Sequence, residues 1–289
     1  MDLNGLIYTR LSTCESLTGM LAEYDGTPAI FNTEFPADQQ SGWGGNTQYP
    51  RLEYRYYAQV DTKRSSSGIL SISMYGLDMA QLDEMEALVR GRLRDVLMKP
   101  DDEPPFCVAW SRSDIFTFEG NAVICKQAQF DILEYADQYT MDPDPVETIN
   151  LFLKDKFGET VVVVGEDAIT QYAEATPESP VLFARLVSDE VDHITFALTW
   201  MNCRIAIHVI APEADARSSW LRRINTALTV AGEAIMPDGS PLRLLSCRAS
   251  NTSDYLTAGQ IDIMAQYILP RPVDDGPVMV PVINDDTFT

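Results

Sequence analysis

Few residues in this chain could do chemistry, and their spacing keeps them apart. The 289 residues include two histidines, His193 and His208, and five cysteines, Cys14, Cys107, Cys125, Cys203 and Cys247. A Cys–His nucleophile pair needs thiol and imidazole within hydrogen-bond reach. Cys203 and His208 are the closest in sequence, but they stand five apart in the alternating run CRIAIHVIA, which sends them to opposite faces of a strand. His208 reads as a single polar ring on such a strand. His193 follows Asp192 where a strand begins, and no second His or Cys stands at metal-ligand spacing from it. The cysteines are odd in number, lack any C-x-x-C pair and sit mostly among apolar residues, which predicts buried free thiols.

The carboxylates cluster at Asp83, Glu84 and Glu86 and at Asp101, Asp102 and Glu103. The first group falls early in a predicted helix, where negative charge suits the helix dipole. The second lies in a proline-rich turn without the glycine that a calcium loop requires. Ser41–Gly45, SGWGG, superficially resembles a phosphate cradle, yet it lacks the Lys-Ser/Thr of a P-loop and the strand-to-helix setting of a dinucleotide fingerprint. A contact loop anchored by Trp43 fits it better. The expectation is a chain with no catalytic set, no metal and no cofactor.

Composition narrows the partners. With 21 Lys and Arg against 43 Asp and Glu, the net charge is −22. Such a surface repels nucleic-acid phosphates and anionic lipid, so DNA wrapping and membrane docking are disfavoured. No apolar run nears the ~18–20 residues that span a bilayer, and the N-terminus lacks a basic head with an apolar core, so the chain is expected to be made and folded in a cytoplasm.

The positioning elements follow from periodicity. Leu3, Leu6, Ile7, Leu11, Cys14, Leu17 and Leu21 mark one helix face or two short helical pieces, a turn at 25–28 follows, and 29–32 reads as a strand. Residues 36–50, PADQQSGWGGNTQYP, form a long polar loop, a length often tied to function. Period-two runs at 51–60 and 68–75 lead to a helix capped by Asp78, its apolar face running Leu82, Met85, Val89, Leu93, Val96 and Leu97. Strands are expected at about 105–111, 114–118 and 121–135. After a Pro/Asp linker at 137–144 come a helix near 145–157, a valine run at 161–164, and strands at 181–188, 194–200 and 203–210. A helix from Pro212 follows, carrying Trp220, Leu221, Ile224, Leu228 and Ala231, then strands at 242–247, 253–258 and 260–268. Residues 271–289, with four prolines among valines, read as a C-terminal arm.

The two halves repeat one order of elements. Tyr75 matches Ile210, Leu93 matches Leu228, and QFDILEY at 129–135 matches QIDIMAQY at 260–267, with Tyr135 meeting Tyr267 after a one-residue slip. The fold class expected is α+β, as two tandem copies (1–136 and 145–270) of a small domain, each with a mostly antiparallel or mixed sheet packed on one long and one N-terminal helix.

The first half, from LIYTRLSTCESLTGMLAEYDG through AIFN, PRLEYRYYAQV, GILSISMYG and LDMAQLDEMEALVRGRLRDVLM to QAQFDILEYA, resembles the tail terminator or tail-completion proteins of long-tailed bacteriophages. The likeness covers residues 4–136 and returns more weakly over 145–270. It implies a non-enzymatic virion protein of the tail or neck, forming a ring that caps the tail tube and meets the head-side connector, with DNA passing through the lumen without specific binding. Family members are typically single domains, so this chain would build the ring from six copies, or from three with pseudo-six-fold symmetry. A lumen lined with acids would repel passing phosphates over about 8 Å at physiological salt. Candidate contacts with other subunits or partners are Trp43, Gly44, Gly45, Tyr49, Tyr54 and Tyr56, with Pro272, Val278 and Val280 of the arm. Two rival readings stand beside this one: a two-domain hydrolase using paired carboxylates, and an adaptor that binds peptides at an exposed strand edge without assembling.

Overall fold

The computed structural model describes residues 1–37, 43–58, 66–117, 122–136, 138–139 and 141–271. In chain order the elements are α1 (Leu3–Ser12), α2 (Glu15–Thr18), β1 (Glu23–Tyr24), β2 (Thr27–Pro28), β3 (Ile30–Asn32), β4 (Arg51–Ala58), β5 (Ser66–Gly76), α3 (Met79–Leu93), β6 (Val96–Met98), β7 (Phe106–Thr117) and β8 (Ile124–Glu134). They continue as α4 (Pro145–Phe157), β9 (Val162–Val163), β10 (Tyr172–Glu174), β11 (Val181–Ile194), β12 (Leu198–Ile210), α5 (Ala214–Ala231), β13 (Glu233–Ile235), β14 (Pro241–Ala249) and β15 (Ile261–Pro270). The result is a mixed α+β fold.

Helix starts are set by short polar side chains. Asp78 Oδ1 accepts from Ala80 N at 3.0 Å, and Asp144 Oδ1 accepts from Val146 N at 2.7 Å and Glu147 N at 3.1 Å, with Pro145 at the first helical position. The helices then bury the faces their periodicity marks, Leu82, Met85, Val89 and Leu93 on α3 and Trp220, Leu221, Ile224 and Leu228 on α5. Each such side chain contributes about 1.5–3 kcal/mol by leaving water.

The strand order of the first large sheet is β10-β6-β7-β8-β5-β4-β3, and that of the second is β13-β14-β15-β12-β11-β9. Reading β3-β4-β5-β8-β7-β6 against β9-β11-β12-β15-β14-β13, every neighbouring pair has the same sense: the first parallel, the rest antiparallel. One core lies between the first sheet and α1–α3, and a second between the second sheet and α4–α5. A third joins the two halves. It packs Leu97, Cys107, Leu133 and Tyr135 against Val181, Phe183, Ile210 and Leu256.

Several sequence expectations shift for local reasons. Val96 and Leu97 belong to a strand, because Asp95 takes φ +56° and turns the chain out of α3; aspartate tolerates that conformation better than most residues. The runs at 105–111 and 114–118 are one strand with an irregularity between Trp110 and Arg112. The three segments over 181–210 are two long strands that turn at 195–197. Residues 253–258 form turns, since Asp254 Oδ1 accepts from Leu256 N at 2.8 Å and Thr257 N at 2.9 Å.

The observed registers move the match between closing strands by two residues. Gln129 pairs with Ser71, whereas Ala206, which stands to Ser71 as Ile210 does to Tyr75, pairs with Asp262 and not Gln260. A shift of two keeps every side chain on its face, which is why the sequence could not detect it. The tyrosine pairing, which needed a slip of one, places its members on opposite faces. Tyr135 lies in the core between the halves, and Tyr267 lies under α4 and α5.

Candidate assembly surfaces

The sequence-marked contact residues divide between interior and surface. Trp43 is 3% exposed, edge-on to Tyr24 (5.0 Å) and Phe31 (5.7 Å), and its Nε1 donates to Pro36 O at 3.2 Å. It folds the described part of the 36–50 loop onto β1 and β3. Tyr54 is also buried, against α1, with its hydroxyl donating to Asn4 O at 3.2 Å. Tyr56 is half-buried on the first core and donates to Ser67 O at 3.3 Å. Gly45 is exposed, while Gly44 and Tyr49 are partly so. Pro272, Val278 and Val280, with the rest of the arm beyond Arg271, lie outside the described residues.

Two surfaces that periodicity did not single out carry the exposed apolar side chains. The distal halves of β11 and β12 run on past the helix layer. From Val187 to Phe196 every residue is exposed, including Val187, Val191, Ile194 and Phe196, the last at 87%. The strands stay paired to their tip, Ile194 opposite Thr199 on one side and Leu198 opposite Pro270 on the other. His193 stacks on Trp200 at 5.3 Å, and Tyr267 donates to Asp189 Oδ2 at 2.7 Å. Beyond its short pairing with β9, the outer edge of β11 has no strand beside it among the described residues. The second surface is the distal end of β7, where Trp110, Ile115 and Phe116 are exposed and Arg90 stacks on Trp110 at 3.9 Å. Alternation predicts strands here but not where their faces lose cover, so no sequence signal marked either surface.

The titratable groups sit in structural roles. His208 is 2% exposed, its ring against Tyr135 and Phe183. Its Nδ1–H donates to Tyr255 O at 2.8 Å, leaving Nε2 to accept from Arg185 Nε at 3.0 Å. Burial lowers its pKa from 6.5 to about 4; the Tyr255 hydrogen bond works the other way, and the Arg185 charge adds to the lowering. Cys203 faces the other side of the same strand, in the core under α4 and α5. Burial raises its thiol to about 12, so no thiolate–imidazole pair forms there at neutral pH.

Glu86 on α3 lies beneath the first sheet with Lys126 Nζ 2.5 Å from its Oε2 and Ser113 Oγ donating to its Oε1 at 2.6 Å. Burial pushes this carboxyl up, but the hydrogen bonds from Lys126 and Ser113 outweigh it and hold the pKa below the ordinary value. A general acid needs the reverse shift. Where the halves meet, a cleft of about 270 Å³ is lined by Arg90, Arg94, Asp95, Trp110, Asp254 and Tyr255 among others, and Tyr255 donates to Asp95 Oδ1 at 2.6 Å. A groove of about 780 Å³ between α4 and α5 is walled by Phe152, Phe157 and Val230 and by Lys156, Arg222 and Arg223, with no carboxylate, histidine or cysteine in its lining. Among the described residues no three His, Cys, Asp or Glu side chains converge as metal ligands.

No family model matches the chain, and no curated protein matches it. Among solved structures, a chain of the "Virion of native gene transfer agent (GTA) particle" is similar over 46% of this chain and 94% of its own length, at 12% identity and a TM-score of 0.30.

Proposed function

We propose that this chain is a structural subunit of a phage-like virion, built from two copies of one α+β module and assembling with other copies into a ring of the tail or neck, as a tail terminator does. The observation that carries the self-assembly is the stretch Val187–Phe196, a paired but uncovered sheet end with apolar side chains on an acidic surface. Monomers rarely leave so much contiguous apolar strand in water unless it meets something. The matching order and sense of the two sheets supports the doubled module. The resemblance of residues 4–136 to tail terminator proteins supports the place in the particle, with the tail tube protein and head–tail connector as neighbours. In this reading the chain catalyses nothing, binds no cofactor and works in the virion after assembly in the host cytoplasm. Its net charge of −22 suits a channel through which DNA slides.

Electron microscopy of the purified chain and of particles containing it tests the proposal. A closed ring of three chains with pseudo-six-fold symmetry, or of six, is the expected image. A strict monomer in solution, together with no symmetric density for it in particles, refutes the reading.

A further inference from the structure

The junction between the two halves of one chain is a pattern that the second half leaves unfinished. On the first half, the outer edge of β6 is covered by β10, which comes from the second half. Tyr172 stands opposite Met98 and Ala173 opposite Leu97, and Lys99 N donates to Gln171 O at 2.9 Å. Behind that edge, the sheet face turned away from the helices buries Leu97, Cys107, Leu133 and Tyr135 under Val164, Val181, Phe183 and Ile210. So β10, β9 and the start of β11 form a plug, and the β6 edge with its face forms a socket.

The second half has the counterpart of that socket with nothing in it. β13 stands where β6 stands in the strand order, and it pairs only with β14. Ala234 and Met236 point into the core, which turns Ile235 between them outward, 62% exposed where Leu97 is fully buried. On the next two strands Leu245, in the irregularity of β14, and Met264, opposite Ser246, are 54% and 44% exposed. Any one of these is ordinary on a protein surface. Three on adjacent strands, where the sister sheet buries its own apolar residues, describe a face made to be covered.

The first half has the counterpart of the plug. The segment 33–50 between β3 and β4 corresponds in position, and closely in length, to 164–180 between β9 and β11. Its described part presents Phe35 and Tyr49, both partly exposed, gathered round the guanidinium of Arg51 at 3.5 and 5.0 Å. Glu34 is exposed beside them, and Arg243 and Arg248 are exposed on the waiting socket, so the charges are complementary.

We propose that the β13 edge and the Ile235–Leu245–Met264 face bind the 33–50 segment and β4 end of a second copy of this chain, repeating between chains the join made within each. The proposal rests on the doubled-module reading above. Such a contact is head-to-tail, the kind that closes into rings.

The test uses the full chain, with a photoactivatable benzoylphenylalanine at position 235 and, separately, the Ile235→Asp/Met264→Asp variant. Crosslinks are expected to land within residues 30–58 of another copy, and the double variant is expected to unfold as the parent does while self-associating about tenfold or more weakly, about 1.4 kcal/mol. If the chain assembles but the crosslinks land elsewhere, or the variant assembles as well as the parent, this interface is wrong and the ring reading stands. If the parent assembles neither in solution nor in particles, the ring reading falls and takes this interface with it.

Discussion

Acidification should loosen the chain through His208, and the size of the effect follows from its surroundings. In the folded chain Nδ1–H is committed to Tyr255 O, and Nε2 accepts from Arg185. Adding a proton at Nε2 destroys that acceptor and sets a second cation against the guanidinium, in a site walled by Tyr135 and Phe183 with Asp254 as the nearest acid acting on it. The folded pKa of about 4 lies below the unfolded value of 6.5, so between these the unfolded chain binds the proton and the folded chain does not. Stability is therefore full above pH 6.5, declines as pH falls toward 4, and loses nothing more from this group below that. The loss is about 2 kcal/mol by pH 5 and about 3 kcal/mol when complete.

Urea unfolding at pH 7.5 and pH 5.0, on the parent and on His208→Gln, measures it. The variant is less stable at both pH values, because a buried ring is lost, but its drop between them should be smaller than the parent's by about 2 kcal/mol. Glu86 does not confuse the comparison, since its pKa is held below the ordinary carboxylate value and its contribution is lost only at lower pH. Equal drops in parent and variant would show that His208 is solvated or already charged, and would remove the argument that it is a sealed neutral group between the halves.

Other perturbations separate structural from assembly roles. Glu86→Leu leaves Lys126 buried with Asp83 as its remaining acid and should cost about 3 kcal/mol by denaturant unfolding, with Glu86→Leu/Lys126→Met recovering much of the loss. Tyr267→Phe removes the hydrogen bond to Asp189 and should lower stability by about 1 kcal/mol. Phe196→Ser should change unfolding by no more than about 0.5 kcal/mol, since the ring is already in water, while reducing assembly measured by sedimentation. Deleting residues 272–289 should leave cooperative unfolding intact and weaken assembly; a truncated chain that no longer unfolds cooperatively would refute that.

What the sequence made legible were the elements whose signals are local. Asp78 and Asp144 announced their helices, alternation announced the long strands, and the apolar faces of α3 and α5 buried themselves as their spacing implied. The short strands β6, β10 and β13 were illegible for one shared reason. Each is three residues long and exists through pairing with a distant segment, β10 most of all, where Tyr172 meets Met98 across the two halves. A period of two cannot be read in three residues.

The contact surfaces were illegible for a related reason. Aromatic and glycine content singled out Trp43 and Tyr54, but composition does not say whether a ring faces another chain or its own, and both rings are filled from within. Conversely, Ile235, Leu245 and Met264 look in sequence like ordinary members of alternating strands. They become informative only when the first half shows what the same face looks like with its cover in place, Leu97 and Leu133 sealed under the neighbouring half. Within one chain, each half serves as the control for the other. A difference in burial at corresponding positions then has two sources, drift in sequence or a missing partner. Drift would replace the apolar residues of an uncovered face by polar ones, because nothing keeps a bare isoleucine on a strand edge that invites aggregation. Their retention on β13, β14 and β15 favours the missing partner.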